Sequence, residues 1–386
     1  MVDFTLTPEQ RDIRSLAHEF AEKEMRPNAW RYDAEGSFPA EVVKNAWALG
    51  LMNIHLPEEY GGPGLGFFAS SLIGEELGWG CAAIGTSLMS NGLAAAPVIL
   101  AGSEELKKQY LGMLAAEPKV ASFCLTEPDA GSDVASMRCT AVRHGDTYVL
   151  NGTKCFVTNG SHASWYTVFA STDRSAGALG ISAFVVPRDA PGVVVERSED
   201  KLGLRASDTA LISFTDVAVP SSHLLGAEGQ GFELAMSTLD HTRPSVAAIA
   251  VGIARAAFEF ARSYATTRVQ FGVPIVMHQG IQFMIADMAT KVEAARLLTW
   301  KSSVLLDRGK RAKLASSHAK RFAADTAMEV ATDAVQIYGG HGVMKEYPVE
   351  KLLRDAKIMQ IYEGTSQIQR VVIARELLSP RRGRNS

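Results

Sequence analysis

Cysteine is scarce in this chain. There are four in 386 residues, Cys81, Cys124, Cys139 and Cys155, with no C-x-x-C pair among them. No H-x-x-x-H spacing accompanies them, so a disulfide framework and a zinc site are both disfavoured, and reduced, mostly buried thiols are expected. No metal ligand set is assigned. An excess of one charge is also lacking: 39 Lys and Arg stand against 42 Asp and Glu, for a net charge of -3. That balance gives no basic stripe of the kind a nucleic-acid partner requires. The one cationic run, Arg381-Arg382-Gly383-Arg384, reads as a frayed, solvated terminus. No uninterrupted apolar stretch reaches the ~18 residues of a bilayer span. The segment Met1 to Glu9 has neither the basic-then-apolar layout of a signal peptide nor the acid-poor character of a transit peptide. P-loop, HExxH and GxSxG motifs are absent. Gly64-Leu65-Gly66-Phe67-Phe68-Ala69 matches the letters of a dinucleotide fingerprint, but a Gly/Pro loop precedes it where a strand is needed.

What is present is an ordinary globular balance, 47% hydrophobic and 21% charged, arranged in three zones. Residues 1–120 read as helical. Thr7-Pro8-Glu9-Gln10 is a helix start with a capping box, and Ile13, Leu16, Ala17, Phe20 and Ala21 share one face. A second helix is expected over Ala40 to Leu49, and small-residue helices from about Ala69 to Gly102. Residues 121–230 switch to short β-rich runs: Ala121 to Thr126, Thr147 to Leu150, Lys154 to Thr158, Trp165 to Ser171, Ser182 to Val186, Val193 to Glu196 and Leu211 to Val219. Turn dipeptides Gly145-Asp146 and Asn151-Gly152 separate some of them, which predicts an antiparallel sheet or small barrel. Residues 231–386 are helical again. Val246 to Thr266 is apolar on most sides, and Ile281, Met284, Ile285, Met288, Val292 and Ala295 keep helical spacing. Helices, then β, then helices is an α+β order in segregated blocks.

Three segments have compositions that plain packing does not explain. Cys124 to Asp133 ends a strand in a loop of hydroxyls, small residues and backbone donors, suited to a flat heterocycle or a phosphate, or equally to a capped turn. Phe156-Val157-Thr158-Asn159-Gly160 sets an aromatic at a strand end, where it can stack on a ring or fill a core. In Ile361 to Arg370 the helical pattern breaks at Glu363-Gly364 and restarts with Thr365 as N-cap. The acid there either faces a ligand that the glycine lets approach or complements the helix dipole.

Together these segments resemble the flavin and active-site signatures of the acyl-CoA dehydrogenase family, nearest its medium-chain and short-chain members. The likeness extends over nearly the whole chain. It includes Asp240-His241-Thr242-Arg243-Pro244, Arg268-Val269-Gln270-Phe271-Gly272, His278-Gln279 and Gln336-Ile337-Tyr338-Gly339-Gly340-His341-Gly342. The resemblance implies an N-terminal helical domain, a central β domain and a C-terminal four-helix bundle. It also implies α,β-dehydrogenation of an acyl-CoA, with FAD as cofactor and an electron-transfer flavoprotein as acceptor.

Carried over residue by residue, Glu363 is the base that takes the α-proton while the β-hydrogen leaves as hydride to the flavin N5. Phe123, Leu125, Thr126, Gly131, Ser132, Phe156 and Thr158 hold the flavin ring side, joined by Thr365 and Gln367. Arg268, Phe271, His278, Gln279, Gln336, Gly339 and Gly340 hold the adenosine and pyrophosphate, largely of a neighbouring subunit. That sharing implies a homotetramer, a dimer of dimers. Ser132, Asp240, Arg243, Tyr362 and Gly364 lie on the substrate side, and the stretch Ser90 to Pro97 partly lines the acyl tunnel. Asp129 departs from the family's glycine, Phe156 replaces a tryptophan of many members, and Thr242 stands where some members place their base. A bacterial cytoplasmic protein is expected. The competing readings are an acyl-CoA oxidase-like enzyme, a flavin monooxygenase or nitroalkane oxidase on the same fold, and a non-catalytic binding subunit of a mixed complex.

Overall fold

The computed structural model describes residues 4–378, so the cationic run at 381–384 lies outside the described residues. The first helix, Pro8–Phe20, begins at the expected capping box: Thr7 and Gln10 each accept from the other's backbone N–H. The next expected helix is Ala40–Ala48. The small-residue region forms one helix, Phe67–Ala101, bent at Cys81, where the backbone turns extended at φ -165° and ψ 111°. The fingerprint-like glycines sit at its start. The N–H groups of Phe67 and Phe68 donate to the Asp307 carboxylate at 2.6 and 3.0 Å. The donors a phosphate would need are thus already taken by an acid.

The central region is a sheet of eight strands: β1 Val120–Cys124, β2 Thr140–His144, β3 Thr147–Thr158, β4 Ala163–Ser171, β5 Ile181–Pro187, β6 Val193–Ser198, β7 Thr209–Pro220 and β8 Leu224–Leu225. Their order is β6-β7-β3-β2-β4-β5-β8, and β1 pairs with β4. The ladders are antiparallel except β1–β4 and a single β2–β4 pair, Thr140 with Ser171. Gly145-Asp146 is the expected hairpin turn between β2 and β3. Asn151-Gly152 is not a turn. It lies inside β3, where the register with β7 shifts between Leu150 and Gly152. The Asn151 side chain exchanges two hydrogen bonds with Asp216 there, at 2.9 and 3.0 Å. The turn residues mark a bulge, which bends a strand without ending it. Strand β2 was not expected, because its exposed Arg143 and His144 break the apolar alternation.

Three long helices follow, Gly231–Thr267, Gln279–Asp307 and Lys313–Tyr338. Pro348–Met359 packs as a fourth against the first and third, and Ser366–Leu378 closes on Lys313–Tyr338. The N-terminal and C-terminal helical regions share one core, built where Phe67–Ala101 crosses Gly231–Thr267. Gly78 and Gly252 meet at that crossing. A Cβ on Gly252 would lie 2.3 Å from the Glu75 carbonyl oxygen and 2.5 Å from the Trp79 nitrogen. A buried charge network ties the same helices together: Glu75 accepts from Arg255 and Arg296, each at 2.9 Å. Breaking one side of such a pair leaves an uncompensated buried charge. Both crossing helices are long and apolar enough to span a membrane by length and composition, with hydropathy 1.4 each. Their most apolar windows are 61% and 72% buried inside the protein, so the apolarity belongs to the core.

Replacing Gly252 with Ala puts a methyl group against backbone that cannot rotate away. Gly252→Ala is expected to cost about 1–3 kcal/mol, read as a lowered midpoint in denaturant unfolding. An unchanged midpoint would mean that the two helices have room at their crossing.

Candidate active site

A cavity of about 690 Å³ opens where the sheet meets both helical regions. The sheet contributes the end of β1 and the loop after it through Phe123, Leu125, Thr126, Gly131 and Ser132, and the end of β3 through Phe156 and Thr158. The kinked helix contributes Thr86 to Leu93 on one side. Gly231–Thr267 contributes Thr242 and Arg243, and the turn before the last helix contributes Tyr362 to Thr365.

The loop after β1 is anchored from beneath by a buried ion pair. Lys154 on β3 donates to Glu127 at 2.7 Å and to the Leu125 carbonyl at 3.0 Å. Glu127 in turn accepts from the Arg138 and Cys139 backbone N–H groups. Asp129 faces outward and pairs with Arg138 at 3.0 Å, both largely exposed. The extra charge is therefore answered at the surface, away from the cavity floor. Phe156 is held at φ 55° and is 67% exposed where it lines the cavity. An aromatic this open, next to the Thr158 hydroxyl, fits a flat ring system with a polar edge. The flavin of FAD is such a ring.

Glu363 lies between the helices Pro348–Met359 and Ser366–Leu378 with φ 50°, followed by Gly364 at φ 89°. The Thr365 hydroxyl accepts from the Ile368 N–H at 3.1 Å and caps the last helix, as the sequence implied. The left-handed pair turns the Glu363 side chain into the cavity. Its carboxylate accepts from the Thr242 hydroxyl at 2.8 Å. Burial pushes this carboxyl above its ordinary pKa, opposed by the Thr242 bond and by the charges of Lys320 and Arg243. Arg243 is itself buried and paired with Asp240, yet its Nε has no hydrogen-bond partner among the described residues. Burial lowers the Arg243 pKa and raises that of Asp240.

The predicted residues thus divide into two sets. Phe123, Leu125, Thr126, Gly131, Ser132, Phe156, Thr158, Arg243, Tyr362, Glu363, Gly364 and Thr365 converge on the cavity. Arg268, Phe271, His278 and Gln279 sit instead around a two-stranded ribbon, Val269–Gln270 with Val273–Pro274. Phe271 at its tip is 95% exposed. Gln336, Gly339 and Gly340, at the end of Lys313–Tyr338, and Gln367 are exposed as well, and none of these eight lines the cavity. Asp240 reaches it only through Arg243.

Three residues around the Glu363 turn escaped the sequence reading. Lys320 donates to the Gly364 carbonyl at 2.6 Å, and Gln369 donates to the same oxygen at 3.1 Å. Asp325 accepts from Gln360 and Ser366. A signal existed for Lys320: it shares the apolar helix face of Ser316, Ala323 and Ala327, where a cation is out of place.

A carboxyl with a raised folded pKa binds its proton more tightly in the native state. Its burial therefore costs nothing below the ordinary carboxyl range of about 4.3. The cost grows as pH rises through the window up to the raised value. Glu363→Gln removes that cost. The variant is expected to be more stable than the wild type in thermal melts, with a larger gain at about pH 8 than at about pH 5. Equal gains at both would place the carboxylate in water.

Three family descriptions match the chain: acyl-CoA dehydrogenase N-terminal domain over residues 7–118, middle domain over 122–217 and C-terminal domain over 229–378. The probable acyl-CoA dehydrogenase FadE25 of Mycobacterium tuberculosis is 47% identical over 376 residues, covering 97% of each chain. The butyryl-CoA dehydrogenase structure from Megasphaera elsdenii superposes with a TM-score of 0.95 at 42% identity, covering 98% of this chain and 100% of that one. A chain from structural work on the electron transferring flavoprotein of Acidaminococcus fermentans gives a TM-score of 0.96 at 46% identity, again covering 98% and 100%. With all three domains matched over nearly its whole length, this chain belongs to the acyl-CoA dehydrogenase family and is an FAD-dependent dehydrogenase.

Proposed function

We propose that the enzyme converts a saturated acyl-CoA to its trans-2-enoyl-CoA with Glu363 as the base. The observation that carries this reading is the Glu363 carboxylate turned into the cavity by a left-handed turn, with its pKa raised by burial. A general base works best when its pKa approaches the operating pH, and burial moves a carboxyl in that direction. FAD, when bound, supplies the hydride acceptor. Glu363 takes the α-proton, the β C–H electron pair leaves as hydride, and the remaining electrons form the double bond. Hydrogen bonds to the thioester carbonyl hold the charge that develops as the α-proton departs, and the Glu363 backbone N–H is one proposed donor. Thr242 orients the carboxylate through its 2.8 Å bond. A hydroxyl at this position also leaves Glu363 as the carboxylate there.

Phe156 and Thr158 are proposed to meet the ring of FAD, and Thr126, Ser132 and Thr365 its polar edge. The exposed set is proposed to serve a second copy of the chain. Phe271 at the ribbon tip, Arg268 at the ribbon's start, Gln336 and Gly340 are all exposed and lie outside the lining of their own cavity. This supports a homotetramer built as a dimer of dimers, with the FAD site completed across an interface. The domain limits proposed are 1–120, 121–230 and 231–386. Electron-transfer flavoprotein is the proposed acceptor, supported by the likeness to a chain from work on such a protein. A bacterial cytoplasmic location is proposed from the mycobacterial relative. Leu88, Met89 and Leu93 give the cavity an apolar wall for the acyl chain. Each methylene buried there contributes about 0.8 kcal/mol.

Glu363→Gln is expected to retain FAD and bind acyl-CoA, with anaerobic bleaching of the flavin slowed about 10²- to 10⁴-fold. Bleaching at the wild-type rate would remove Glu363 as the base. Arg268→Ala is expected to purify with less FAD, because a cation facing the cofactor's phosphates is lost. Full flavin occupancy would remove Arg268 from that role.

A further inference from the structure

The turn that carries Glu363 holds two consecutive residues at positive φ, one of them not glycine. Such a conformation persists only where its surroundings over-determine it. The surroundings come chiefly from one helix, Lys313–Tyr338. Lys320, fully buried on that helix, donates to the Gly364 carbonyl at 2.6 Å. Asp325, five residues on, takes the Gln360 amide at 2.9 Å, the Ser366 hydroxyl at 2.8 Å and Arg370 at 2.8 Å. The entry and exit of the turn are therefore tied through Asp325, and its centre through Lys320. Gln369 adds a second bond to the Gly364 carbonyl, at 3.1 Å.

A buried ammonium on a single carbonyl is an expensive way to secure a turn. A neutral donor would satisfy the same oxygen without the desolvation cost of a charge. Burial brings the Lys320 pKa down to about 8, and the first charge holding it up is that of Glu363. The influence is mutual, since the Lys320 ammonium is also the strongest charge lowering the Glu363 pKa. The other charges facing the pair are Arg243, from Gly231–Thr267, and Asp325 on the same helix as Lys320. Tyr362, beside Glu363, has its own pKa raised by burial.

We propose that Lys320 is a positioning residue for the base: it clasps the Gly364 carbonyl to hold Glu363 aimed into the cavity, and its buried charge favours the ionised carboxylate. The two effects are separable. Lys320→Met removes the donor and the charge. Lys320→Gln keeps a neutral donor and removes only the charge.

This rests on Glu363 as the base, so Glu363→Gln is run beside the two lysine variants. Each holoenzyme is mixed anaerobically with an acyl-CoA, and the bleaching rate at saturation is followed across pH. Flavin content and melting temperature are recorded for each. In Lys320→Met the acidic limb of the profile is expected to move to higher pH, and the plateau rate to fall roughly 10- to 100-fold, as a small misplacement of a reacting group produces. In Lys320→Gln the limb is expected to move likewise, with the plateau recovering most of the loss. A purely structural lysine would alter melting and flavin content without moving the limb. Should Lys320→Met fail to fold, the limb in Lys320→Gln decides alone. A limb unmoved in every folded lysine variant, while Glu363→Gln abolishes it, overturns the role of Lys320 and leaves the base intact. A limb that persists unchanged in Glu363→Gln overturns the base, and this inference with it.

Discussion

A carboxylate kept out of water is unstable unless the protein answers its charge, yet a base for a weakly acidic C–H needs some of that instability. The proposed role of Glu363 as the base meets this constraint. Too much compensation would return the carboxyl to its ordinary acidity and leave it a poor base. Too little would keep it protonated at working pH. One hydroxyl, from Thr242, touches the carboxylate, while Lys320 and Arg243 act on it by charge. The arrangement tempers the effect of burial without cancelling it.

Holding such a group requires rigid supports from distant parts of the chain. Thr242 and Arg243 ride on Gly231–Thr267, whose position is set by the glycine crossing with Phe67–Ala101. The bend at Cys81 lets that second helix line the cavity with Thr86 to Leu93 after burying its first half in the core. The sheet supplies the opposite wall. Its loop after β1 rests on the Lys154–Glu127 pair, buried ionic support for a segment that must offer its polar groups outward. Two buried lysines, 154 and 320, thus secure the two loops that form the cavity's polar edge.

Local signals in the sequence were legible where one residue decides the structure. The Thr7 capping box, the Gly145-Asp146 hairpin and the Thr365 cap before the final helix all act within a few residues. Asn151-Gly152 has the same turn chemistry but resolves as a bulge, because pairing with β7 continues on both sides and outweighs the local preference. The Glu363 segment stood out by a helix pattern broken at an acid and a glycine, which by itself left a ligand-facing acid and a dipole-complementing one both open. Its support did not: Lys320, Asp325 and Gln369 read as ordinary helix residues until the fold brings them to the turn. The exposed ribbon residues were singled out only through family resemblance, and Phe271 at the ribbon tip is 95% exposed. Asp129, a charge where the resembled family has glycine, is answered by Arg138 across the same loop.

The central claim is that Glu363 removes the α-proton, and it is tested most directly without the hydride step. A 3-thiaacyl-CoA retains acidic α-hydrogens but has no β C–H to give. Incubated with the holoenzyme in heavy water, its α-position should acquire deuterium, and Glu363→Gln should slow this exchange by orders of magnitude while still binding the analogue. Exchange at the same rate in both proteins would contradict the account.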